Sequence, residues 1–311
     1  MQPGQTLAQS TARIIASLEQ PLREIKPDLV LVQGDTTTTF CGALSAFYQG
    51  VPVGHVEAGL RTHDLQQPFP EELNRVLTTR LSALHFAATD GAADNLVREG
   101  VSRHTIHVTG NSGIDAVLYM RDRLAAGTLQ APAWPWRNPA RKLIVVTAHR
   151  RESFGPGFEK LCRALAALAE RPDVQIVYPV HPNPNVQEPV RRHLAGRPNI
   201  ELIAPLEYTP FVDLMRQAYL LLTDSGGVQE EAPSLGKPVL VLRDKTERPE
   251  AVQAGTVRLV GTDPEKIQKE TSELLENADL YHRMTRIHNP YGDGSASERI
   301  SALIHSFLSG K

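Results

Sequence analysis

The feature that most constrains the fold is a regular alternation of short apolar runs with longer amphipathic segments. Ten runs are short, β-branched and almost continuously apolar, which is typical of parallel strands covered by helices on both faces. They are 28–33, 51–56, 83–87, 105–109, 142–147, 174–180, 200–203, 219–223, 238–242 and 257–260. Helical periodicity lies between and after them, for example over 7–25, 158–170, 211–218 and 296–308. This order predicts an α/β chain of βαβ units and doubly wound sheets.

A proline-rich segment without periodicity divides the chain into two predicted domains. Residues 125–140 contain three prolines and are typical of a surface linker or long loop. The 311 residues are too many for one ordinary core and suit two domains. We therefore predict an amino-terminal domain over 1–124 and a carboxyl-terminal domain over 125–295, followed by a separate helix over 296–311. Four strand runs precede the linker and six follow it, so we expect the first domain to be incomplete at its start.

Composition and charge disfavour several classes of function. The chain has 33 basic and 35 acidic residues, without the basic excess of a nucleic-acid-binding protein. Its two cysteines cannot form a disulfide framework or a zinc site. No apolar run approaches the ~18 residues of a membrane span, and the first residues do not resemble a signal peptide, so we expect a cytoplasmic protein. A dinucleotide fingerprint and a Walker motif are both missing, and we expect no cofactor and no metal.

Polar and ionisable residues follow six of the predicted strands. In open α/β sheets, ligands bind beyond the carboxyl ends of the strands. The segments at these ends are 34–39, 57–61, 148–153, 181–185, 224–231 and 243–250. Because they come from both halves of the chain, they favour a cleft between two facing domains.

Ser225, Gly226 and Gly227 form the clearest candidate anion site. Two glycines at a strand-to-helix turn let backbone amides approach a phosphate, and the helix N-terminus favours negative charge. A plain glycine turn is the alternative. Glu230 and Glu231 follow on the helix, where one acid is well placed to hold ribose hydroxyls.

Three carboxylates and two histidines are the candidates for proton transfer. Asp35, Glu57 and Glu71 lie at or near predicted strand ends, and three acids in one cleft would raise one another's pKa values. The alternative for Asp35 is a helix N-cap, and for Glu71 a favourable acid at a helix start. His149, beside Arg150 and Arg151, could bind phosphate or donate a proton. His181 is a second candidate, with a core or capping role as the alternative.

These segments together resemble one known family. The motifs are Gly34–Thr39 (GDTTTT), His55–Arg61 (HVEAGLR), Pro70–Arg75 (PEELNR), His149–Glu152 (HRRE), Asp224–Glu231 (DSGGVQEE) and Glu247–Glu250 (ERPE). In this order they resemble the non-hydrolysing UDP-N-acetylglucosamine 2-epimerases of bacteria, over nearly the whole chain. The resemblance implies two Rossmann-like domains facing across a cleft (GT-B-like), with the last helix crossing back to the first domain. It also suggests a homodimer.

The resemblance further implies an activity and a set of site residues. The activity is reversible epimerisation at C2 of UDP-N-acetylglucosamine to UDP-N-acetylmannosamine, by elimination and re-addition of UDP, as a precursor for surface polysaccharide. Residues are assigned by matching motifs: Asp35, Glu57, Glu71 and His149 to catalysis; Phe211, Ser225, Gly226, Gly227, Glu231 and Arg248 to substrate binding; and Arg150 and His181 to a second, regulatory site.

One departure from the family pattern leaves other functions open. Leu206 stands where some members have Gln, which is harmless if that contact is made through the backbone. The family's opening strand and its basic turn, however, do not appear in this sequence. We therefore expect weakened UDP binding and impaired activity. The alternatives are a hydrolysing epimerase, a GT-B glycosyltransferase that uses a UDP-sugar, and a catalytically impaired nucleotide-sugar binder.

Overall fold

Two compact units make up the part of the chain that the computed structural model describes, which is residues 5–150, 153–286 and 289–310. Unit 1 comprises the described residues up to Asp115 and those from Tyr291 onward, and unit 2 runs from Ala116 to Pro290. Each unit is built on one sheet in which neighbouring strands are parallel. The predicted α/β fold class is therefore confirmed.

Unit 1 contains a four-stranded sheet in the order β1-β2-β3-β4. Its strands are β1 (Val30–Gln33), β2 (Val53–Ala58), β3 (Leu84–Ala87) and β4 (Ile106–Val108). Its helices are α1 (Leu7–Ile25), α2 (Thr37–Tyr48), α3 (Glu71–Leu81), α4 (Asp90–Arg98), the start of α5 (Ser112–Ala125), and α13 (Ala296–Ser309), with a 3-10 turn at Arg103–Thr105. Because the strands are parallel, their carboxyl ends meet at one edge of the sheet.

The last helix, α13, belongs to the core of unit 1. Ile300 is buried against Val56, Leu84 and Phe86 of strands β2 and β3. Asp115 holds the start of the helix, since its carboxylate accepts hydrogen bonds from the backbone amides of residues 296 and 297. The chain therefore leaves unit 1, forms unit 2, and returns to complete the first core.

Unit 2 contains a six-stranded sheet in the order β10-β9-β8-β5-β6-β7. Its strands are β5 (Lys142–Thr147), β6 (Val174–Pro179), β7 (Ile200–Ile203), β8 (Leu220–Thr223), β9 (Val239–Val241) and β10 (Val257–Leu259). Its helices, after α5, are α6 (Pro156–Leu168), α7 (Pro184–Leu194), α8 (Tyr208–Gln217), α9 (Gly226–Ser234), α10 (Pro249–Ala254), α11 (Pro264–Glu276) and α12 (Ala278–Arg286). The order reverses between β5 and β8, and such a switch point opens a crevice where ligands bind in doubly wound sheets.

All ten predicted strands are present, with ends that differ from the predicted ones by up to two residues. Helix α8 begins at Tyr208 rather than at the predicted 211, because Pro210 is tolerated within the first turn of a helix. The division between the units also differs from the predicted boundary. It falls after Asp115, inside the continuous helix α5, whereas the irregular segment predicted as a linker begins only where that helix ends. None of the described helices is long and apolar enough to cross a membrane.

Candidate active site

Asp35 follows strand β1 and is held by two residues of helix α3. Its Oδ2 atom lies 2.5 Å from Arg75 Nη2, and its carbonyl accepts a 2.8 Å hydrogen bond from Asn74 Nδ2. The alternative role of Asp35 as a helix N-cap is wrong, because Thr36 caps α2 by accepting a bond from the Thr39 amide. The Asp35 side chain is 24% exposed. It is therefore a fixed carboxylate that a ligand can still reach.

Glu57 lies at a break in the register of strand β2. Val56 pairs with Phe86 and Ala58 with Ala87, so Glu57 is an extra residue on this strand. Its φ of 66° lies in the left-handed region, which costs a non-glycine residue on the order of 1–3 kcal/mol. Bulges and strained backbone of this kind concentrate at functional sites, where they redirect a side chain. The local structure therefore supports a functional role for Glu57.

Glu71 is the first residue of helix α3, with Pro70 at the N-cap. Its predicted alternative, an acid that suits the helix dipole, is compatible with this position. Glu72, the next residue, is 1% exposed, and its Oε1 accepts hydrogen bonds of 2.9 and 3.0 Å from the amides of Thr62 and His63. Its Oε2 bonds Arg75 Nη1 at 2.7 Å. Glu72 therefore fixes both a loop and the arginine that holds Asp35.

His55 supports the turn that leads into Asp35. The ring is fully buried, and Nε2 lies 2.8 Å from the Gly34 carbonyl. Burial lowers the pKa of His55 to about 4, although the bond to Gly34 opposes the shift. The ring is therefore neutral at pH 7, and Nε2 donates its proton to that carbonyl. His55 has a structural role beside the candidate carboxylates.

Strand register brings the candidate carboxylates of unit 1 to the same sheet edge. Gln33 of β1 pairs with Val56 of β2; Glu57 directly follows Val56, and Asp35 lies two residues after Gln33. Helix α3, which starts at Glu71, reaches the same edge through its two bonds to Asp35. The prediction that the acids lie near strand ends is met for Asp35 and Glu57, whereas Glu71 begins helix α3.

His149 lies beyond strand β5, at the switch point of unit 2. The backbone amides of His149 and Arg150 donate hydrogen bonds of 2.7 and 2.8 Å to Oδ2 of Asp224, which follows the neighbouring strand β8. Asp224 is 1% exposed, whereas the His149 side chain is 41% exposed. A buried carboxylate thus shapes the turn that carries the exposed imidazole. Residues 151 and 152, which completed this motif in the sequence, lie outside the described residues.

The His149 ring stacks on the ring of His181. Their centroids are 5.2 Å apart, with an angle of 14° between the planes. Desolvation lowers the pKa of His149, and the neighbouring His181 and Arg150 lower it further, while Asp224 opposes the shift. The ring is therefore biased toward the neutral form near neutral pH, in which it can accept or relay a proton.

A cavity of about 240 Å³ opens beside this pair of histidines. It is smaller than the ~300–1,000 Å³ typical of a site that encloses a drug-sized ligand, so it suits one part of a larger molecule. Its lining is mostly apolar and consists of Thr147, Ala148, His149, Pro179, His181, Pro205, Leu206, Phe211, Ser225 and Val228. The structure therefore brings together four predicted site residues, His149, His181, Phe211 and Ser225, in unit 2.

The candidate phosphate loop begins helix α9, with Ser225 at the N-cap. A Cβ on Gly226 would lie 2.5 Å from Arg248 Nη1, so this glycine is required by the side chain packed against it. A Cβ on Gly227 would meet only Glu231 Oε1, at 3.5 Å, which is an ordinary contact. Of the two glycines, Gly227 is therefore the one without close packing at its Cβ position.

Arg248 lies in a buried network of alternating charges. It is 4% exposed; its Nε lies 2.5 Å from Glu230 Oε1, and its Nη1 bonds Glu247. Glu247 also accepts a 2.9 Å bond from Arg243. The side chains of Arg248 and Glu247 pack against Gly226. Arg248 thus supports the loop through its carboxylate partners, and its predicted contact with a nucleotide stays a prediction.

Glu231 is partly exposed. Burial raises the pKa of Tyr208, at the start of α8, and the charge of Glu231 raises it further.

Sequence reasoning missed four residues that hold the candidate groups. Asn74 and Arg75 hold Asp35, and Glu72 in turn holds Arg75. Asp224 holds the turn of His149. The spacing of Glu72 and Arg75, three residues apart, is a recognisable ion-pair signal on a helix. Their bonds to other segments depend on strand and helix packing, which the sequence pattern does not specify.

Nearly the whole chain is similar to proteins of one family. A family model described as UDP-N-acetylglucosamine 2-epimerase matches residues 1–305. The UDP-N-acetylglucosamine 2-epimerase of Escherichia coli strain K12 is 58% identical over 305 residues, which are 96% of this chain and 81% of that protein.

Two solved structures have the same fold. The UDP-GlcNAc 2-epimerase from Neisseria meningitidis, bound to UDP-GlcNAc, matches with a TM-score of 0.95 and 48% identity, covering 98% of this chain and 84% of that one. A co-structure of S. aureus MnaA with UDP matches with a TM-score of 0.92 and 46% identity, covering 99% and 84%.

Proposed function

The chain belongs to the UDP-N-acetylglucosamine 2-epimerase family, and from this premise we propose that it interconverts UDP-N-acetylglucosamine and UDP-N-acetylmannosamine by inverting C2 of the sugar. One observation carries the proposal: the fold matches, over 98% of the chain, that of a relative whose structure holds UDP-GlcNAc. The candidate groups at the carboxyl edges of the two sheets are of the types that this reaction needs.

The proposed reaction proceeds through an elimination, because C2 of the sugar is not acidic enough for simple inversion. A base removes the proton from C2 while the bond from C1 to the UDP oxygen breaks, which leaves UDP and a 2-acetamidoglucal. UDP then adds back to C1, and a proton is delivered to the opposite face of C2. The steps conserve every atom of the nucleotide sugar except the C2 hydrogen, which exchanges with water, and they require groups that both accept and donate protons.

Unit 1 supplies the proposed proton-transfer groups. Strand register brings Asp35 and Glu57 to one edge of its sheet. Glu71 begins helix α3, which is bonded to Asp35 through Asn74 and Arg75. Arg75 holds the Asp35 carboxylate in one position, and the bulge in β2 fixes the backbone of Glu57. Groups held before substrate arrives lose little entropy in the transition state, which favours catalysis.

Unit 2 supplies the proposed nucleotide site and His149. The apolar cavity beside Phe211 has the size of a pocket for one part of UDP, such as the uracil base. Gly227, at the start of α9, offers an amide and the helix dipole to a diphosphate. Ser225 offers its hydroxyl, since its amide already donates to Thr223 Oγ1. Glu231 is the proposed ribose contact. His149, with an exposed neutral ring, is the proposed group that exchanges a proton during departure and return of UDP.

We further propose that the enzyme is of the non-hydrolysing kind, so that UDP stays bound between the two half-reactions. The test is incubation with UDP-N-acetylglucosamine in deuterated water, followed by NMR. Deuterium at C2 of both UDP-sugars, with both persisting, is the expected result. Accumulation of free UDP and N-acetylmannosamine would identify a hydrolysing epimerase instead, and unchanged substrate without isotope would contradict any epimerase activity.

A regulatory site and the assembly belong to the same proposal. Arg150 and His181 are the proposed residues of a second UDP-N-acetylglucosamine site, which predicts a sigmoidal dependence of rate on this substrate. A homodimer is the proposed assembly, and light scattering after size-exclusion chromatography measures it. A cytoplasmic location and a role in supplying surface polysaccharide complete the proposal.

A further inference from the structure

The buried carboxylate of Asp224 has one oxygen that its structural role does not use. Oδ2 accepts the backbone amides of His149 and Arg150. Oδ1 is also buried, and within the described residues no donor lies in hydrogen-bond range of it. The His149 ring lies beside it, with Nδ1 3.7 Å from Oδ1. A carboxylate oxygen left without a donor in a protein interior is costly, so its position calls for an explanation.

The orientation of His149 provides that explanation. A neutral imidazole carries one proton, on either Nδ1 or Nε2, and the partner of one nitrogen decides which. A proton on Nδ1 would face the negative Oδ1 of Asp224, whereas a lone pair there would be repelled by it. The carboxylate therefore favours the Nδ1-protonated tautomer, which leaves Nε2 as the nitrogen free to exchange a proton. In unliganded sites such contacts are often long and tighten when substrate binds.

We propose that Asp224 is the positioning residue for His149, fixing the turn through Oδ2 and the imidazole tautomer through Oδ1. The role rests on the proposed function of His149 in proton exchange. It makes the Asp224–His149 pair equivalent to the acid–histidine pairs that orient a base in other enzymes. Among the described residues, the other ionisable groups that shift the pKa of the ring are His181, stacked on its face, and Arg150, the next residue. Both are neutral or cationic, so among these neighbours Asp224 alone brings a negative charge.

Asp224→Asn separates the two parts of this role. An Asn carbonyl can still accept both backbone amides, so the turn is kept. The Asn amide then faces Nδ1 as a donor, which favours the opposite tautomer, with the proton on Nε2. Removing the carboxylate also lowers the pKa of His149 further, since Asp224 is the group that raises it. The part of the pH–rate profile that depends on titration of His149 is identified by its loss in His149→Asn. In Asp224→Asn, this part should move to lower pH.

The experiment is nitrogen NMR of the full chain labelled with ¹⁵N-histidine, with His149 assigned from the spectrum of His149→Asn. We expect the Nδ1-protonated tautomer in the wild type, and a shift toward Nε2 with a lower pKa in Asp224→Asn. The kcat should fall by about 10- to 100-fold, as for loss of other orienting carboxylates, with KM within about threefold, because Asp224 is not expected to bind substrate. Asp213→Asn is the matched control, since Asp213 is a buried acid of the same unit that bonds Trp134 Nε1. It should leave the His149 titration and kcat unchanged.

The tautomer decides the inference independently of activity. An Nε2-protonated His149 in the wild type, or an identical tautomer and pKa in Asp224→Asn, would overturn the positioning role. If Asp224→Asn does not fold, the wild-type spectrum alone still decides it. A wild type with the expected tautomer but without epimerase activity would reject the proposed function and leave the pairing of Asp224 with His149 standing.

Discussion

The Asp35 carboxylate is fixed by Arg75 yet partly exposed, so its charge should matter more for turnover than for stability. Asp35→Asn keeps the shape and the backbone bond to Asn74 but removes a proton-transfer group. We expect turnover to fall by about 100-fold or more, as for other acid–base residues, with a small change in melting temperature. The deuterium exchange assay and a thermal melt measure the two effects.

Asp90→Asn is the matched control for this substitution. Asp90 follows strand β3 as Asp35 follows β1, but it is exposed in the first turn of helix α4. Its replacement should leave turnover within about twofold, since an exposed acid near a helix start contributes only ~0.3–1 kcal/mol, to stability and not to chemistry. Normal turnover in Asp35→Asn would return Asp35 to a purely structural role.

The two glycines of the candidate phosphate loop should respond differently to alanine. Gly226→Ala places a methyl group 2.5 Å from Arg248 Nη1, so we expect a loss of stability of about 1–3 kcal/mol, typical of overpacking. Gly227→Ala meets only an ordinary contact and should fold normally. If UDP approaches the backbone at Gly227, the second variant should bind it at least about tenfold more weakly, for the loss of ~1.4 kcal/mol. Denaturant unfolding measures the stability of each variant, and calorimetric titration measures its affinity for UDP. An affinity of Gly227→Ala equal to that of the wild type would contradict phosphate binding at Gly227.

Residue identities alone indicated which carboxylates and glycines to consider, but not what holds them. Asp35 is recognisable because a charged residue follows an apolar strand. Its salt bridge with Arg75 joins residues 40 positions apart and depends on how α3 packs beside β1. The sequence explained Gly226 only by phosphate binding. It could not show that the Arg248 side chain, which comes from another loop, packs against this glycine.

Among the elements, strand β2 carries a pH-sensitive group in its interior. His55 has a pKa of about 4 in the folded protein, against an ordinary value of 6.5, because burial disfavours its charged form. Its contribution to stability is therefore fully present above pH 6.5 and is lost as the pH falls toward 4, by up to about 1.4 kcal/mol per pH unit. Unit 1 should lose stability over this range, and hydrogen exchange of β1 and β2 amides at pH 7 and pH 5 measures the loss.

His55→Gln tests the source of this pH dependence. A glutamine amide can still donate to the Gly34 carbonyl but does not titrate, so the loss of protection between pH 7 and pH 5 should shrink. His85, a buried neighbour whose pKa is also lowered by burial, remains in the variant and sets the residual slope. An unchanged slope in His55→Gln would assign the effect to other groups.

Strand positions could be predicted because a strand buried on both faces must be almost continuously apolar. The bulge at Glu57 could not be predicted in the same way, since it exists only relative to the partner strand β3. Helix α1 has the bounds that its periodicity predicts, because that period is a local signal, and the structure adds a local N-cap at Thr6. Features that depend on one element are therefore readable from sequence, and features of a pair are not.

At the scale of the whole molecule, the path of the chain explains why the boundary between the units was hard to predict. The division falls inside the continuous helix α5, where the sequence shows no break. The prediction therefore used the irregular segment that follows this helix. The return of the chain to unit 1 has a physical basis in the apolar face of α13. Its Ile300 joins the core of β2 and β3, whereas the core of unit 2 is formed by a separate set of buried residues.

Ile300→Ala should therefore weaken unit 1 selectively, although residue 300 follows all of unit 2 in the sequence. Removing a buried isoleucine side chain leaves a cavity, at an expected loss of about 2–5 kcal/mol. Hydrogen exchange should show lower protection for amides of β2 and β3 and unchanged protection for β5 and β8. Ser301→Ala, at an exposed position of the same helix, is the control and should change neither set. Equal loss of protection in both units would mean that they unfold as one cooperative body, because a cavity in one independent core cannot by itself open the other.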